Sequence, residues 1–263
     1  MPGPPRLIGL PYDASSSYIR GPAQAPPHIR SALHSTHWNE FTECEVDVST
    51  LADAGDLKLP ATAEARAQIE AAIQDLATSG FRPLALGGDH SVTYPILRGL
   101  GRAVSSLTVL HLDAHPDLYD EFEGDRFSHA CPFARIMEEQ LARRLVQVGI
   151  RTMNPPQRRQ AERFRVEVID MAAWVAGTRP RVDGAVYLSI DLDALDPGFA
   201  PGVSHREPGG LSVRDVLRLV QELGGTFVGA DIVEYNPRQD LGGITATVAA
   251  KIVKEVAGRM LAD

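Results

Sequence analysis

Three apolar runs in this chain each end in a cluster of ionisable residues, and this constrains the fold more than any other feature. Residues 84–86 lead into Gly87-Gly88-Asp89-His90-Ser91, residues 107–112 into Asp113-Ala114-His115-Pro116-Asp117, and residues 185–190 into Asp191-Leu192-Asp193. Short, continuous apolar runs of this kind read as strands buried on both faces. On an extended backbone residues i, i+2 and i+4 point to one side. The Asp-x-His-x-Asp run therefore aims three potential ligands together, and Asp-x-Asp aims two more. Four carboxylates and two imidazoles converging in one crevice repel one another unless cations lie between them. The set is too acidic and too rich for one tetrahedral zinc, and it suits a pair of divalent ions that share carboxylates. Such a centre implies hydrolysis.

The rest of the chain alternates in step with these runs. Strands are expected over residues 6–10, 82–86, 107–112, 145–150, 166–169, 185–190 and 226–232, with an edge strand near 45–48. Pro26-Pro27 opens a helix to residue 33, proline being tolerated in a first turn. Thr62 is placed to cap a helix over 62–79, where Ile69, Ile73 and Leu76 keep helical spacing and Gly80 ends it. Further helices are expected over 92–100, 132–143, 157–164, from Ser212 to 223, and over 243–261. Strands separated by helices predict an α/β fold, a parallel sheet with helices on both faces. Ligands in such sheets sit beyond the carboxyl ends of the strands, where all three motifs fall. No linker or repeat divides the sequence, so residues 1–263 are expected to form a single domain.

Composition narrows the partners. The 263 residues are 44% hydrophobic and 23% charged, with a net charge of −8, which argues against nucleic acid and suits a small cationic substrate. Cys44 and Cys131 are the only cysteines, too few for a disulfide framework in a chain this long. No apolar run approaches the roughly 18 residues of a membrane span. The start, Met1-Pro2-Gly3-Pro4-Pro5-Arg6, has no apolar region behind a basic one. A cytoplasmic address is the expectation.

Alone, Gly87-Gly88-Asp89-His90 is equally well read as a crowded strand-to-helix turn. The other two motifs resist that reading, because ionisable residues ending a buried strand are costly to desolvate unless paired or metal-bound. Together the three segments resemble the signatures of the ureohydrolase family, which holds arginases, agmatinases and their relatives. The likeness covers nearly the whole chain. Residues 117–124, 128–136, 199–212 and 229–237 are most similar to the plant-type arginase branch.

The resemblance implies a three-layer α/β sandwich with a mostly parallel sheet of about eight strands, and two Mn²⁺ per chain. His90, Asp113, Asp117 and Asp191 would hold one ion, and His115, Asp113, Asp191 and Asp193 the other. His129 matches a mobile histidine of the family, against the plain reading of a solvated loop residue. Glu234 matches the carboxylate that grips a guanidinium, against a salt bridge at the rim. Asp89 and Asp196 read as supporting or turn residues and His205 as structural, while His28, His34, His37 and His111 signal only packing or surface. The implied reaction is hydrolysis of L-arginine to urea and ornithine. The alternative is hydrolysis of agmatine or another guanidino compound such as guanidinobutyrate. A homo-oligomer, trimeric or hexameric, is also implied.

These residue types suit that chemistry. A guanidinium is a poor electrophile that stays protonated at physiological pH. Paired cations favour deprotonation of water, and Asp117 can help move its proton. Glu234 would neutralise and orient the guanidinium, and His129 would protonate the leaving amine. The Asn-rich loop of animal arginases is replaced here by residues 119–128. Asn154 stands in Arg151-Thr152-Met153-Asn154-Pro155, where that branch carries a carboxylate, and its amide can still hydrogen-bond a substrate amine. A one-zinc deacetylase-like enzyme and an inactive metal-binding scaffold are the competing classes, and the complete ligand set argues against both.

Overall fold

The computed structural model describes residues 3–36, 38–101 and 106–263; His37 lies outside them. Eight strands form one sheet: β1 (Pro5–Gly9), β2 (Ala52–Asp56), β3 (Arg82–Leu86), β4 (Thr108–Leu112), β5 (Arg144–Ile150), β6 (Glu167–Asp170), β7 (Ala185–Asp191) and β8 (Thr226–Val233). Their order is β2-β1-β3-β8-β7-β4-β5-β6, and every pairing is parallel. The helices are α1 (Ala25–Leu33), α2 (Glu64–Thr78), α3 (Thr93–Leu100), α4 (Pro132–Glu138), α5 (Pro155–Phe164), α6 (Met171–Val175), α7 (Val213–Glu222) and α8 (Ile244–Ala262).

Strand alternation divides the apolar residues into two cores. Leu84, Leu86, Leu110, Leu112, Leu188 and Ile190 face one side, packed with α1, α6, α7 and α8. Ala85, Val109, Tyr187 and Val233 face the other, with α2, α3, α4 and α5. Both faces are buried, which explains why the central strands read as continuous apolar runs. Among the described residues no helix is long and apolar enough to cross a membrane.

Several local expectations are corrected. Residues 45–48 form no strand; Phe41 and Asp47 make an isolated antiparallel bridge instead. The edge strand is β2, Ala-Asp-Ala-Gly-Asp, most of which is exposed. It has no apolar pattern because it is held by pairing with β1 and by Arg30, which binds Asp53 and Asp56. Helix α2 starts two residues late, with Ala63 at its cap, so Thr62 gives its carbonyl rather than its side chain. Helix α4 ends at Glu138, and Gln140 just beyond it turns to φ 55°. The short α6 was not expected; Asp170 caps it, accepting from the Ala173 N–H at 2.8 Å. Ser212 caps α7 as expected, in a reciprocal arrangement with Asp215.

The strand order positions the site. Consecutive strands β3 and β4 are separated in the sheet by β8 and β7. From β4 the chain runs outward to β5 and β6, and from β7 it runs back to β8. The order therefore reverses between β4 and β7, and a crevice opens beyond their carboxyl ends. Four adjacent strands, β3, β8, β7 and β4, supply every chemically loaded segment.

Candidate metal centre and substrate pocket

The turn after β3 explains its glycines. A Cβ on Gly88 would lie 1.8 Å from the Tyr12 carbonyl oxygen, so only glycine admits the loop that follows β1. Asp89 binds that loop, accepting from the Ser15 N–H at 3.0 Å, and caps the next turn through the Ser91 N–H at 3.1 Å. The turn is crowded, as its plain reading holds, and it also carries His90 into the crevice.

Beyond the strands two ligand clusters form. His90 Nδ1 lies 3.2 Å from Asp113 Oδ2, 3.1 Å from Asp117 Oδ2 and 3.2 Å from Asp191 Oδ2. His115 Nδ1 lies 3.3 Å from Asp113 Oδ1 and 3.0 Å from Asp193 Oδ2. Asp113 thus turns one oxygen to each cluster. Asp191 Oδ1 accepts from the Asp193 N–H at 2.7 Å.

Hydrogen bonds behind His90 fix its tautomer. Ser189 Oγ donates to Asp231 Oδ1 at 2.7 Å, so His90 Nε2, 3.0 Å from Ser189 Oγ, must be the donor to that hydroxyl. Asp231 also accepts from Tyr187 Oη at 2.6 Å and Thr93 Oγ1 at 3.0 Å. His90 Nδ1 is buried without a hydrogen-bond partner and faces three carboxylate oxygens. Burial opposes a charge on the ring, but Asp113, Asp117 and Asp191 raise it well above the ordinary histidine range. The position therefore calls for either a proton or a metal ion. Only a cation makes that arrangement favourable, and the donor set fits divalent metal.

His111, read from sequence as packing, belongs here. Gln147 Nε2 donates to His111 Nδ1 at 3.0 Å, so His111 Nε2 donates to Asp113 Oδ2 at 2.7 Å. Phe133 stacks on its ring at 3.8 Å. The signal was present in the sequence, where His111 opens the alternate-residue series His111, Asp113, His115, Asp117. In the structure only His111 lies on β4, and the chain bends beyond Leu112 to bring the others into the crevice.

The protein's charges show the same demand for cations. Burial, then Asp193 and Asp113, push the Asp191 carboxyl well above its ordinary range. Burial pushes Asp193 up to about 7, against the pull of His115. Asp113 is held well below the usual range despite its burial, by His111 first. Carboxylates raised in this way hold protons that a divalent ion displaces.

Glu234 follows β8 and sits across from the clusters. Its Oε1 accepts from the His90 N–H at 2.9 Å and from His129 Nδ1 at 3.1 Å. No protein donor among the described residues reaches Oε2. The backbone at Glu234 is left-handed, φ 63°, and so is that at Asp117, φ 48°. Non-glycine residues in that region are uncommon and cluster where a site imposes them. His129 Nε2 lies 2.9 Å from Ser17 Oγ. Burial opposes charging His129, but its bond to Glu234 and that carboxylate's charge raise it to about 9.

A cavity of about 270 Å³ opens over these groups, walled also by Tyr119, Phe122, Thr152, Gln157, His205 and Glu207. Among the described residues, no lysine or arginine lines it. Asn154, expected to meet a substrate amine, is otherwise engaged: its Oδ1 caps α5 through the Gln157 N–H at 3.2 Å, and its amide donates to Tyr119 Oη. His205, read as structural, lines the cavity instead, stacked on His129 with ring centroids 5.3 Å apart. Its loop gave no strand-end pattern by which to find it. Asp196 is a turn residue as read, accepting from the Gly198 and Gly209 N–H groups at 2.8 and 2.7 Å.

Comparison with known proteins agrees with this geometry. Residues 5–258 match the Arginase family. The chain is 44% identical to "Arginase 2, chloroplastic/mitochondrial" of Arabidopsis thaliana, over 97% of this chain and 80% of that protein. It superposes on an arginase structure from Medicago truncatula with a TM-score of 0.92 at 41% identity, covering 98% of this chain and 88% of the other. A proclavaminate amidino hydrolase from Streptomyces clavuligerus gives a TM-score of 0.85 at 32% identity, covering 99% and 94%. The cytoplasmic expectation is corrected by the Arabidopsis relative, which is named for organelles. That expectation rested on unpaired cysteines and the lack of an apolar segment, and neither feature separates one reducing compartment from another.

Proposed function

The chain belongs to the arginase family, and from that premise we propose that residues 1–263 act as one ureohydrolase domain converting L-arginine to urea and ornithine at two Mn²⁺ ions. His90, Asp113, Asp117 and Asp191 would hold one ion, and His115, Asp113, Asp191 and Asp193 the other, with Asp113 and Asp191 shared. When bound, the pair supplies the charge that favours deprotonation of water near neutral pH.

The observation that carries the reading is Glu234. Two fixed donors occupy Oε1 while Oε2 stays open opposite the clusters. A carboxylate so held neutralises and orients a guanidinium without taking a place among the metal ligands. Asp117 accepts the proton released from water. His129 Nδ1 is committed to Glu234, so the proton for the leaving amine departs from Nε2, and neutral imidazole remains. The assembly in this reading is a trimer or hexamer.

The choice of arginine draws on the likeness to plant arginases. A second reading, hydrolysis of agmatine, is favoured because no lysine or arginine among the described residues lines the cavity to meet a carboxylate. A guanidino acid such as 4-guanidinobutyrate is the further alternative. Urea release from L-arginine, agmatine and 4-guanidinobutyrate, measured side by side, decides between them. Arginine is expected to lead in kcat/KM by about ten- to a hundredfold, because water at an open rim replaces part of what agmatine leaves unpaired. A higher value for agmatine overturns the arginine reading.

A further inference from the structure

An α-carboxylate entering this cavity meets an unfavourable wall. Asp117, Asp191, Asp193, Glu207 and Glu234 all line it, and no lysine or arginine among the described residues does. The substrate must nevertheless be told apart from its decarboxylated analogue. Agmatine keeps a terminal ammonium and lacks only the carboxylate, so discrimination requires a donor for that group.

We propose that His205 is the specificity residue that hydrogen-bonds the α-carboxylate of L-arginine. It is a cavity-lining group with donor capacity that neither the clusters nor the guanidinium grip uses. Its ring nitrogens make no hydrogen bond among the described residues, although His129, His115 and Tyr18 surround its ring at 5.3, 5.9 and 5.4 Å between centroids. The ring is thus held by packing while an N–H stays available, an economical way to present a donor.

The loop that carries His205 is anchored on both sides. Ser204 Oγ donates to the Ile19 carbonyl at 2.7 Å and accepts from Asn236 Nδ2 at 2.9 Å. Arg206 donates to the Pro201 carbonyl at 2.7 Å and the Gln239 carbonyl at 3.0 Å. Val203 pairs with Tyr235, the neighbour of Glu234, so the two ends of the substrate are registered through one bridge. Glu207, fixed through its carbonyl to Arg151 Nε at 3.0 Å, offers an acceptor to the ammonium that arginine and agmatine share. That contact cannot separate the two substrates. His205 can.

This assignment rests on the arginine reading, and three substrates separate their failures. L-arginine and 5-guanidinopentanoate carry the carboxylate at the same distance from the guanidinium; agmatine does not carry it. In His205→Ala the kcat/KM for both carboxylated substrates should fall about tenfold or more, as on losing one hydrogen bond to a charged group. The fall should lie mainly in KM, with agmatine unchanged within about twofold. His205→Asn, which retains a side-chain N–H, should recover part of the loss, and metal content should match the parent in both. A parallel fall for all three substrates would assign His205 to supporting His129 and overturn the proposal, as would no change for any. If the parent enzyme itself prefers agmatine, the arginine reading fails, while the ratio of 5-guanidinopentanoate to agmatine still tests His205.

Discussion

The floor of the cavity and its mouth are built differently. At and beneath the floor, Asp191, Asp193, His90 and Asp113 are all buried, and each lies at or just beyond the carboxyl end of a central strand. A second partner fixes nearly every one of them: Ser189 behind His90, His111 behind Asp113, the Asp193 N–H behind Asp191. At the mouth, His205 and Glu207 sit half-buried on a loop, held by packing and backbone carbonyls. Strand register places atoms to within a fraction of an ångström and loops do not, so the floor suits chemistry and the mouth suits choice of substrate.

The sharpest way to break this contrast is through Asp113, whose two oxygens face different clusters. Asp113→Ala should remove both metal ions and bring urea release to background, as read by elemental analysis and a fixed-time assay. One tightly bound zinc in an active parent chain would count against two linked sites, and the floor would lose its claim to be one unit.

Glu234 tests whether the floor extends to the guanidinium. Glu234→Gln keeps the shape and the metal ligands but removes the charge, so kcat/KM should fall at least about a hundredfold, roughly 3 kcal/mol, with metal content unchanged. The pH profile adds a second reading. Glu234 raises His129 to about 9, so the imidazolium needed for the leaving amine persists below that pH and is lost as pH rises through it. In the variant that support is gone, and the alkaline limb of kcat should move toward the ordinary histidine range. An unmoved limb would mean that another group delivers the proton.

The same division explains what could be read in advance. The central strands were legible because both faces of the sheet are buried and apolar runs mark β3, β4 and β7. The ionisable residues that follow are gathered by turns at and beyond the strand ends rather than by strand alternation. Strand β2 was not legible, since an exposed edge needs no apolar residues and Arg30 replaces them with ion pairs. His111 was overlooked because a histidine inside an apolar run looks like filler until its bond to Asp113 is seen. His205 depends on how a loop folds back over His129, and no local periodicity encodes that.

The smallest expected effect concerns Asn154, which the sequence singled out for the substrate amine and which reaches the cavity only through its bond to Tyr119. Helix α5 begins with Pro155 and Pro156, which have no N–H to satisfy, so the first exposed donor is that of Gln157. Asn154 Oδ1 takes that donor at 3.2 Å, and its amide is spent on Tyr119. Both ends of the side chain are therefore engaged in structure. Asn154→Ala should cost about 1 kcal/mol, the usual value of a helix cap, seen as a lower midpoint in urea denaturation with an unchanged slope. Loosening Tyr119 should touch arginine and agmatine alike, so their kcat/KM ratio should stay within about twofold. A stable variant whose arginine preference collapsed would mean that Asn154 turns from its cap to the substrate. The mouth would then be organised by strand-end geometry after all, and the contrast with the floor would fail where it is drawn most finely.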